Sequence, residues 1–520
     1  MPSPQLAPLP LWQAFLASLF LCLAAGAGIA APAYDFSTVD KHAAQAVADG
    51  STPSVAYAIA RNGEILHESA FGMADREGQV AATVHTAYAL ASATKPITAT
   101  TLMALQERQQ FNLDAPVAEL LPELVTPDGD WNGITLRRLL SHTAGLGTYA
   151  KIAYGEDIVR APSLLEEARR YGHAVNPPGR VAEYSNLGYG LLGEVVALKG
   201  GGFYADVVRN TVFEPLGMRD AFINAPDNAR TAIAIGYDAS LARLPPLLNN
   251  TPGAGNAYAS AHDLLLFAMF HANPERNRRV LAPATVARMT SRSDDAFQHY
   301  YGDAFYGLGW YVRASDHGRR LFWHEGGMPG ASTIIKILPD QDVAVVVLSN
   351  RSDANALARS LADELVRTVL PDYAASPLDP VAGYSPLIEQ PGFAGQWRGR
   401  IQVDDIEVAC TLEIAADGAG KFRIQVPGQA AVESPLRAMV NGDSFITALP
   451  GRLPSRDIGA NDEPLLLLKL VRTGDHLRGA VVAYSSVRRL DYLLPFPTDL
   501  RRVQPEPASP QSRNPEILDH

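Results

Sequence analysis

The chain changes its hydrophobic rhythm several times. Ser54-Val55-Ala56-Tyr57-Ala58-Ile59-Ala60 and Ile65-Leu66-His67 flank Asn62-Gly63. An Asn-Gly pair between two apolar runs predicts a tight hairpin, because both turn positions tolerate positive φ. A helical stretch follows Ser92, and residues 110–300 mix helical patterns with Pro/Gly loops. Leu321-Phe322-Trp323, residues 333–338 and residues 343–348 then read as consecutive antiparallel strands, the last two joined by Pro339-Asp340-Gln341-Asp342. Residues 353–370 set Leu357, Leu361, Leu365 and Val366 on one stripe of an amphipathic helix. Strands at both ends with helices between them predict an α+β domain: one antiparallel sheet built from both chain ends, flanked by helices, plus a helical lobe.

Pro371, Pro377, Pro380, Pro386 and Pro391 mark a linker over 373–391. Beyond it, residues 392–503 carry short alternating runs separated by Asp/Gly turns, the pattern of a small all-β barrel or sandwich. The Pro/Ser-rich tail, 504–520, reads as disordered. At the other end, residues 1–33 hold no charged side chain, and residues 11–31 are almost wholly apolar or small. Two A-x-A sites close the stretch, so it reads as a cleaved signal peptide of an exported, periplasmic or secreted protein. The alternative is an uncleaved anchor, since the run can just span a bilayer core of roughly 30 Å. The first packed domain is then 34–372.

Composition narrows the chemistry. At 520 residues, 47% hydrophobic and 19% charged, the chain has material for two or more packed domains. A net charge of −11 gives no overall attraction to nucleic acid. Two cysteines, Cys22 and Cys410, exclude zinc ribbons, iron–sulfur clusters and a disulfide framework. The twelve histidines show no metal-ligand spacing. Lysine is scarce, seven against 37 arginines, so each lysine carries information.

Ser92-Ala93-Thr94-Lys95 is the first chemical motif. Residues three apart on a helix are neighbours, so Lys95 falls beside the Ser92 hydroxyl. Ser92 at a helix start also has free N–H groups near a developing oxyanion. Serine is a weak nucleophile until a base takes its proton, and a lysine serves only with a lowered pKa. By chance alone such a Ser-x-x-Lys is expected about 0.4 times in this composition, so it needs company. Tyr184-Ser185-Asn186 supplies a phenol to share a proton relay and an amide to hold Lys95 or a substrate carbonyl. His324-Glu325-Gly326-Gly327 ends a strand. Alternation puts His324 and Gly326 on one face and Glu325 on the other. Gly326 lets substrate lie along the strand, and the Gly327 N–H can complete an oxyanion hole with that of Ser92.

The order of these three motifs, with Leu139-Leu140-Ser141-His142-Thr143-Ala144-Gly145-Leu146 between the first two, resembles the serine β-lactamase-related family over about residues 45–370. That family includes class C β-lactamases, DD-peptidases, D-aminopeptidases and β-lactamase-like esterases. The resemblance implies a β-lactamase/transpeptidase-like fold with Ser92 acylated and Lys95 and Tyr184 as the acid/base pair. Asn186 would orient Lys95 and substrate, and His324 would fill a cationic or hydrogen-bonding place. The 142–145 segment would be structural, and 392–503 is similar to the β-barrel appendages of D-aminopeptidase-like members. Two departures are visible. Class C enzymes have Lys where His324 stands, and peptidase members have Thr where Glu325 stands. A site-facing Glu325 would disfavour substrates with a free carboxylate.

Gly188-Tyr189-Gly190-Leu191-Leu192-Gly193 matches a dinucleotide fingerprint but follows no apolar strand, so its glycines are expected to serve close helix packing. No G-x-S-x-G elbow occurs. The expected function is a serine hydrolase acting on D-amino-acid or cell-wall-type peptides, without metal or organic cofactor. The alternatives are a β-lactamase-like carboxylesterase and a silent peptide binder. Its partner is a small-molecule or peptide substrate, with no nucleic acid, and with membrane contact only through an uncleaved leader.

Overall fold

The computed structural model describes residues 34–124, 131, 133–225, 231–293, 303–378, 385–386, 391–459, 462, 464–485 and 490–504. The expected leader, most of the linker and the tail from 505 onward lie outside the described residues. No helix among those described is long and apolar enough to cross a membrane.

Along the chain, the first domain uses strands β1 (Ser54–Arg61), β2 (Glu64–Asp75), β3 (Ala150–Tyr154), β4 (Leu247–Asn249), β5 (Tyr311–Asp316), β6 (Arg319–Met328), β7 (Ala331–Leu338) and β8 (Val343–Ser349). Its main helices are α1 (Ser37–Ala48), α2 (Thr94–Gln109), α3 (Leu164–Tyr171), α4 (Asn186–Gly200), α5 (Ala261–Ala272) and α6 (Asn355–Val369). The central antiparallel sheet runs β2-β1-β8-β7-β6-β5, with a two-residue strand at each edge. The predicted hairpin turns at Asn62 (φ +54°) and Gly63 (φ +82°). β1 then pairs with β8 from Val55↔Ser349 to Arg61↔Val343, so both ends of the domain meet in mid-sheet.

β8 is buried at every position because it is covered twice. α6 lies on one face with α1, tied by His42 Nδ1 to Glu364 at 2.8 Å, and α5 packs against the sheet as well. An unbroken apolar run, rather than alternation, is the sequence form of such a strand. The helical lobe is built on α2 and α4. The glycines of the apparent dinucleotide fingerprint do serve packing: Gly193 lies against Gly253, where an added Cβ would come within 2.4 Å of Tyr189 O. The described start of the Pro-rich segment also packs onto this domain, with Tyr373 and Leu378 buried.

The second domain is a strongly curved antiparallel sheet of β9 (Gly395–Val403), β10 (Ile406–Ile414), β11 (Ala419–Gln425), β12 (Val432–Arg437), β13 (Ser444–Pro450), β14 (Leu465–Thr473), β15 (His476–Tyr484) and β16 (Tyr492–Arg502). The order is β13-β14-β15-β16-β9-β10-β11-β12. Ser434 Oγ donates to Pro450 O (2.8 Å) and Thr447 Oγ1 to Arg437 O (2.8 Å), drawing β12 to β13 so that a barrel nearly closes. Cys410 is a free thiol buried inside it, and burial pushes that thiol up to about 12. β16 also pairs with β3, joining the barrel to the first domain by backbone hydrogen bonding.

Candidate active site

Ser92 sits in a 3-10 turn, Ala91–Ala93, that runs directly into α2. Ala91, just before it, has φ +47°. That left-handed conformation costs a residue with a Cβ roughly 1–2 kcal/mol, so the surrounding fold holds this turn in place. One helical turn on, Lys95 is fully buried, and its Nζ lies 3.2 Å from Ser92 Oγ. Lys95 also donates to Asn186 Oδ1 (2.7 Å) and to Ala254 O (3.0 Å). Among the described residues no carboxylate pairs with it. Burial therefore pushes Lys95 well below the ordinary lysine range, because desolvation penalises the ammonium form. A neutral amine has two N–H bonds and one lone pair. Asn186 Oδ1 and Ala254 O take the two hydrogens, which leaves the lone pair for the Ser92 proton.

Asn186 is the first residue of α4. Ser185 caps the helix by accepting from Gly188 N (3.2 Å). The Asn186 Nδ2 donates to Tyr149 O (2.8 Å), which fixes the amide so that its oxygen faces Lys95. Tyr184 lies just outside the cap, half-buried, with its ring centroid 4.7 Å from Lys95 Nζ. Ser92, Lys95, Tyr184 and Asn186 are therefore in one cluster.

His142 lies beneath them. Its ring is 4.2 Å from that of Tyr184, and Nδ1 accepts from Ser185 N (3.1 Å) while its carbonyl accepts from Glu183 N (2.7 Å). Burial above all keeps it far below the ordinary histidine value. It shapes the backbone of Tyr184–Asn186, in line with the structural part expected of 142–145.

His324 is buried, with Nδ1 2.7 Å from Glu325 O and Nε2 2.9 Å from Tyr306 OH. A carbonyl only accepts, so Nδ1 carries a hydrogen, and in the neutral ring Nε2 is then the acceptor from Tyr306 OH. Burial, with Lys95 adding, pushes its pKa down to about 3. A ring held neutral there offers hydrogen bonds rather than a charge. Strand alternation holds. Gly326 faces the serine turn so closely that a Cβ would come within 2.0 Å of Leu90 O. Glu325 points to the opposite face, where Arg359 of α6 holds it by two hydrogen bonds of 2.7 and 2.6 Å. Glu325 is thus on the face that alternation gives it, and the contingency of a site-facing Glu325 does not arise. β5 pairs with β6 only as far as Trp323, so the stretch carrying Gly326 and Gly327 has β7 on one side and no paired strand on the other among the described residues.

Several site groups were not read from the sequence. Ala254 O and Tyr149 O are backbone atoms, which no side-chain motif marks. No spacing in the sequence marks Tyr306 as a partner of His324.

The family model described as Beta-lactamase matches residues 39–369. Penicillin-binding protein 4 of Amycolatopsis lactamdurans is 27% identical over 352 residues, covering 63% of this chain and 90% of that protein. Among solved structures, SurE with D-Leu superposes with a TM-score of 0.61 at 23% identity, over 90% of this chain and 99% of that one. That likeness therefore spans both domains. EstCE1, described as a hydrolase with promiscuous acyltransferase activity, superposes with a TM-score of 0.52 at 22% identity, over 64% of this chain and 97% of that one. Both structural likenesses speak to fold.

Proposed function

This chain belongs to the Beta-lactamase family, a family of serine hydrolases, and we propose that it works through an acyl-enzyme on Ser92. The observation that carries the proposal is the Lys95 amine, buried with no carboxylate partner among the described residues, its hydrogens engaged and its Nζ 3.2 Å from Ser92 Oγ. Lys95 takes the Ser92 proton as Oγ bonds to the substrate carbonyl carbon. The Ser92 and Gly327 N–H groups hold the oxyanion. Tyr184 passes a proton to the leaving nitrogen or oxygen as that bond breaks. Water then adds to the acyl carbon, giving its proton to the Tyr184/Lys95 pair, and Ser92 recovers its own as the acid leaves. Asn186 orients Lys95, and His324 and Gly326 shape the wall along which substrate lies.

The substrate class we propose is an amide or peptide of the D-amino-acid or cell-wall type. The support is the likeness to penicillin-binding protein 4 and the D-Leu in the SurE structure. A neutral His324 gives a substrate carboxylate no counter-charge there. That disfavours β-lactams and favours neutral amides, and it also supports a second reading as a carboxylesterase. Export follows from the leader reading and belongs to the same proposal. A turnover panel decides the class: D-alanine p-nitroanilide, a D-Ala-D-Ala peptide, p-nitrophenyl esters and nitrocefin. The anilide is expected to lead and nitrocefin to come last. An ester preferred over every amide would establish the esterase reading, and fast nitrocefin hydrolysis would contradict both.

A further inference from the structure

The seam between the two domains lies directly behind Tyr184. Beside the pairing of β3 with β16, Ile152 N donates to Asp491 O (2.9 Å) and Tyr154 OH to Leu490 O (2.8 Å). The residues just before β3 run along the Tyr-Ser-Asn motif. Ser185 Oγ donates to Gly147 O (3.2 Å), and Asn186 Nδ2 to Tyr149 O. Thr148 Oγ1 lies 2.7 Å from Glu183 Oε1 and 3.0 Å from Tyr184 O. Gly147 is pressed against the barrel so closely that a Cβ would come within 2.6 Å of Pro495 Cβ. From β14 of the barrel, Lys469 closes the arrangement. Its ammonium pairs with Glu183 Oε1 and donates to Thr148 Oγ1 (3.0 Å).

We propose that Lys469, delivered by the barrel, is a positioning residue for Tyr184, holding through Glu183 and Thr148 the backbone that sets the phenol against Lys95. The proposal rests on the reading of Tyr184 as a proton carrier for Ser92. Glu183 is the residue immediately before Tyr184 and its side chain is only 8% exposed. A carboxylate so buried needs a partner or it pulls toward water, and it would carry the Tyr184 backbone with it. Losing the lysine also leaves a negative charge beside a phenol that must pass protons. Among the described residues, Lys95, His142, Tyr189 and Tyr306 lie around Tyr184, with His324 beyond Tyr306. Burial holds His142 and His324 neutral, while Glu183 and Lys469 bring opposite charges together beside the Tyr184 backbone. A displacement of about 1 Å in such a site is worth up to about 100-fold in rate.

The test uses the full chain and a p-nitrophenyl ester, with the rate of fluorophosphonate labelling at Ser92 and the melting temperature measured in parallel. Lys469→Met is expected to lower kcat about 10- to 100-fold with KM within about twofold, and to move the pH–rate profile to higher pH. Lys469→Arg should keep most of kcat. Adding Glu183→Gln to Lys469→Met should recover much of the loss, because the orphaned charge is gone. Unchanged kcat in Lys469→Met overturns the proposal, as does a loss that Glu183→Gln does not relieve. Should Lys469→Met fail to fold, Thr148→Val decides: a several-fold drop in kcat supports the proposal, and a wild-type kcat overturns it. Absence of labelling in the wild type would instead sink the Ser92/Tyr184 reading itself.

Discussion

Two lysines bear on Tyr184, one over its ring and one through the residue before it, in opposite electrostatic surroundings. In the serine pocket, Lys95 meets a hydroxyl, an amide oxygen and a backbone carbonyl, all uncharged. At the domain seam, Lys469 meets the Glu183 carboxylate. Burial without a counter-charge turns the first into a base, because the ammonium form is the one that loses hydration. Pairing with a carboxylate makes the second a strut. What a lysine does here is decided by the charge of its neighbours, and the same residue type fills both parts within one site.

The contrast predicts a graded set of losses. Ser92→Ala should remove turnover by more than about 10³-fold while shifting the melting temperature by at most a few degrees, since it deletes the nucleophile and leaves the packing. Activity retained above a few percent would take Ser92 out of the chemistry. Asn186→Ala frees one Lys95 hydrogen and the orientation of its lone pair, so kcat should fall about 10- to 100-fold in a steady-state assay. A wild-type kcat there would show that Ala254 O alone orients the amine. Arg359→Ala, on the far face of β6, should cost roughly 1–2 kcal/mol in denaturant unfolding but change kcat by less than about twofold. A change of substrate preference in that variant would mean Glu325 does reach the site.

Acid should weaken the fold through its buried neutral histidines. Burial pushes His271 and His324 down to about 3 in the folded chain. The unfolded chain protonates them near 6.5, so stability present above that value is lost as pH falls toward 3. Between pH 7 and pH 5 each costs about 2 kcal/mol. Asp263, raised by burial to about 6, works the other way over part of the range. The melting temperature should fall between pH 7 and pH 5, and His271→Gln should remove part of the fall. An equal fall in that variant would show that His271 is not held neutral.

Much of the first domain was legible because its signals are local. Asn62-Gly63 fixes the hairpin, the apolar run 343–348 marks a doubly covered strand, and Ser92–Lys95 needs only one helical turn to come together. Tyr184-Ser185-Asn186 and His324-Glu325-Gly326-Gly327 could be placed in the same site only through the family resemblance. The seam was not legible. Glu183 and Lys469 are 286 residues apart, joined by the docking of a barrel onto β3, and neither alternation nor helical period encodes that register. Glu325 shows the other limit: alternation gave its face, while its partner Arg359 came from a helix whose charged side carried no marked target.

The most direct test of the central claim is the pH dependence of fluorophosphonate labelling at Ser92 in the wild type and in Lys95→Met. With Lys95 as a neutral amine in the folded enzyme, the wild-type rate rises with pH through one ionisation well below 10.5 and then levels, and Lys95→Met labels at least about 10³-fold more slowly at every pH with its melting temperature kept. An inflection at the ordinary lysine value, or a Lys95→Met variant that labels at the wild-type rate, would contradict it.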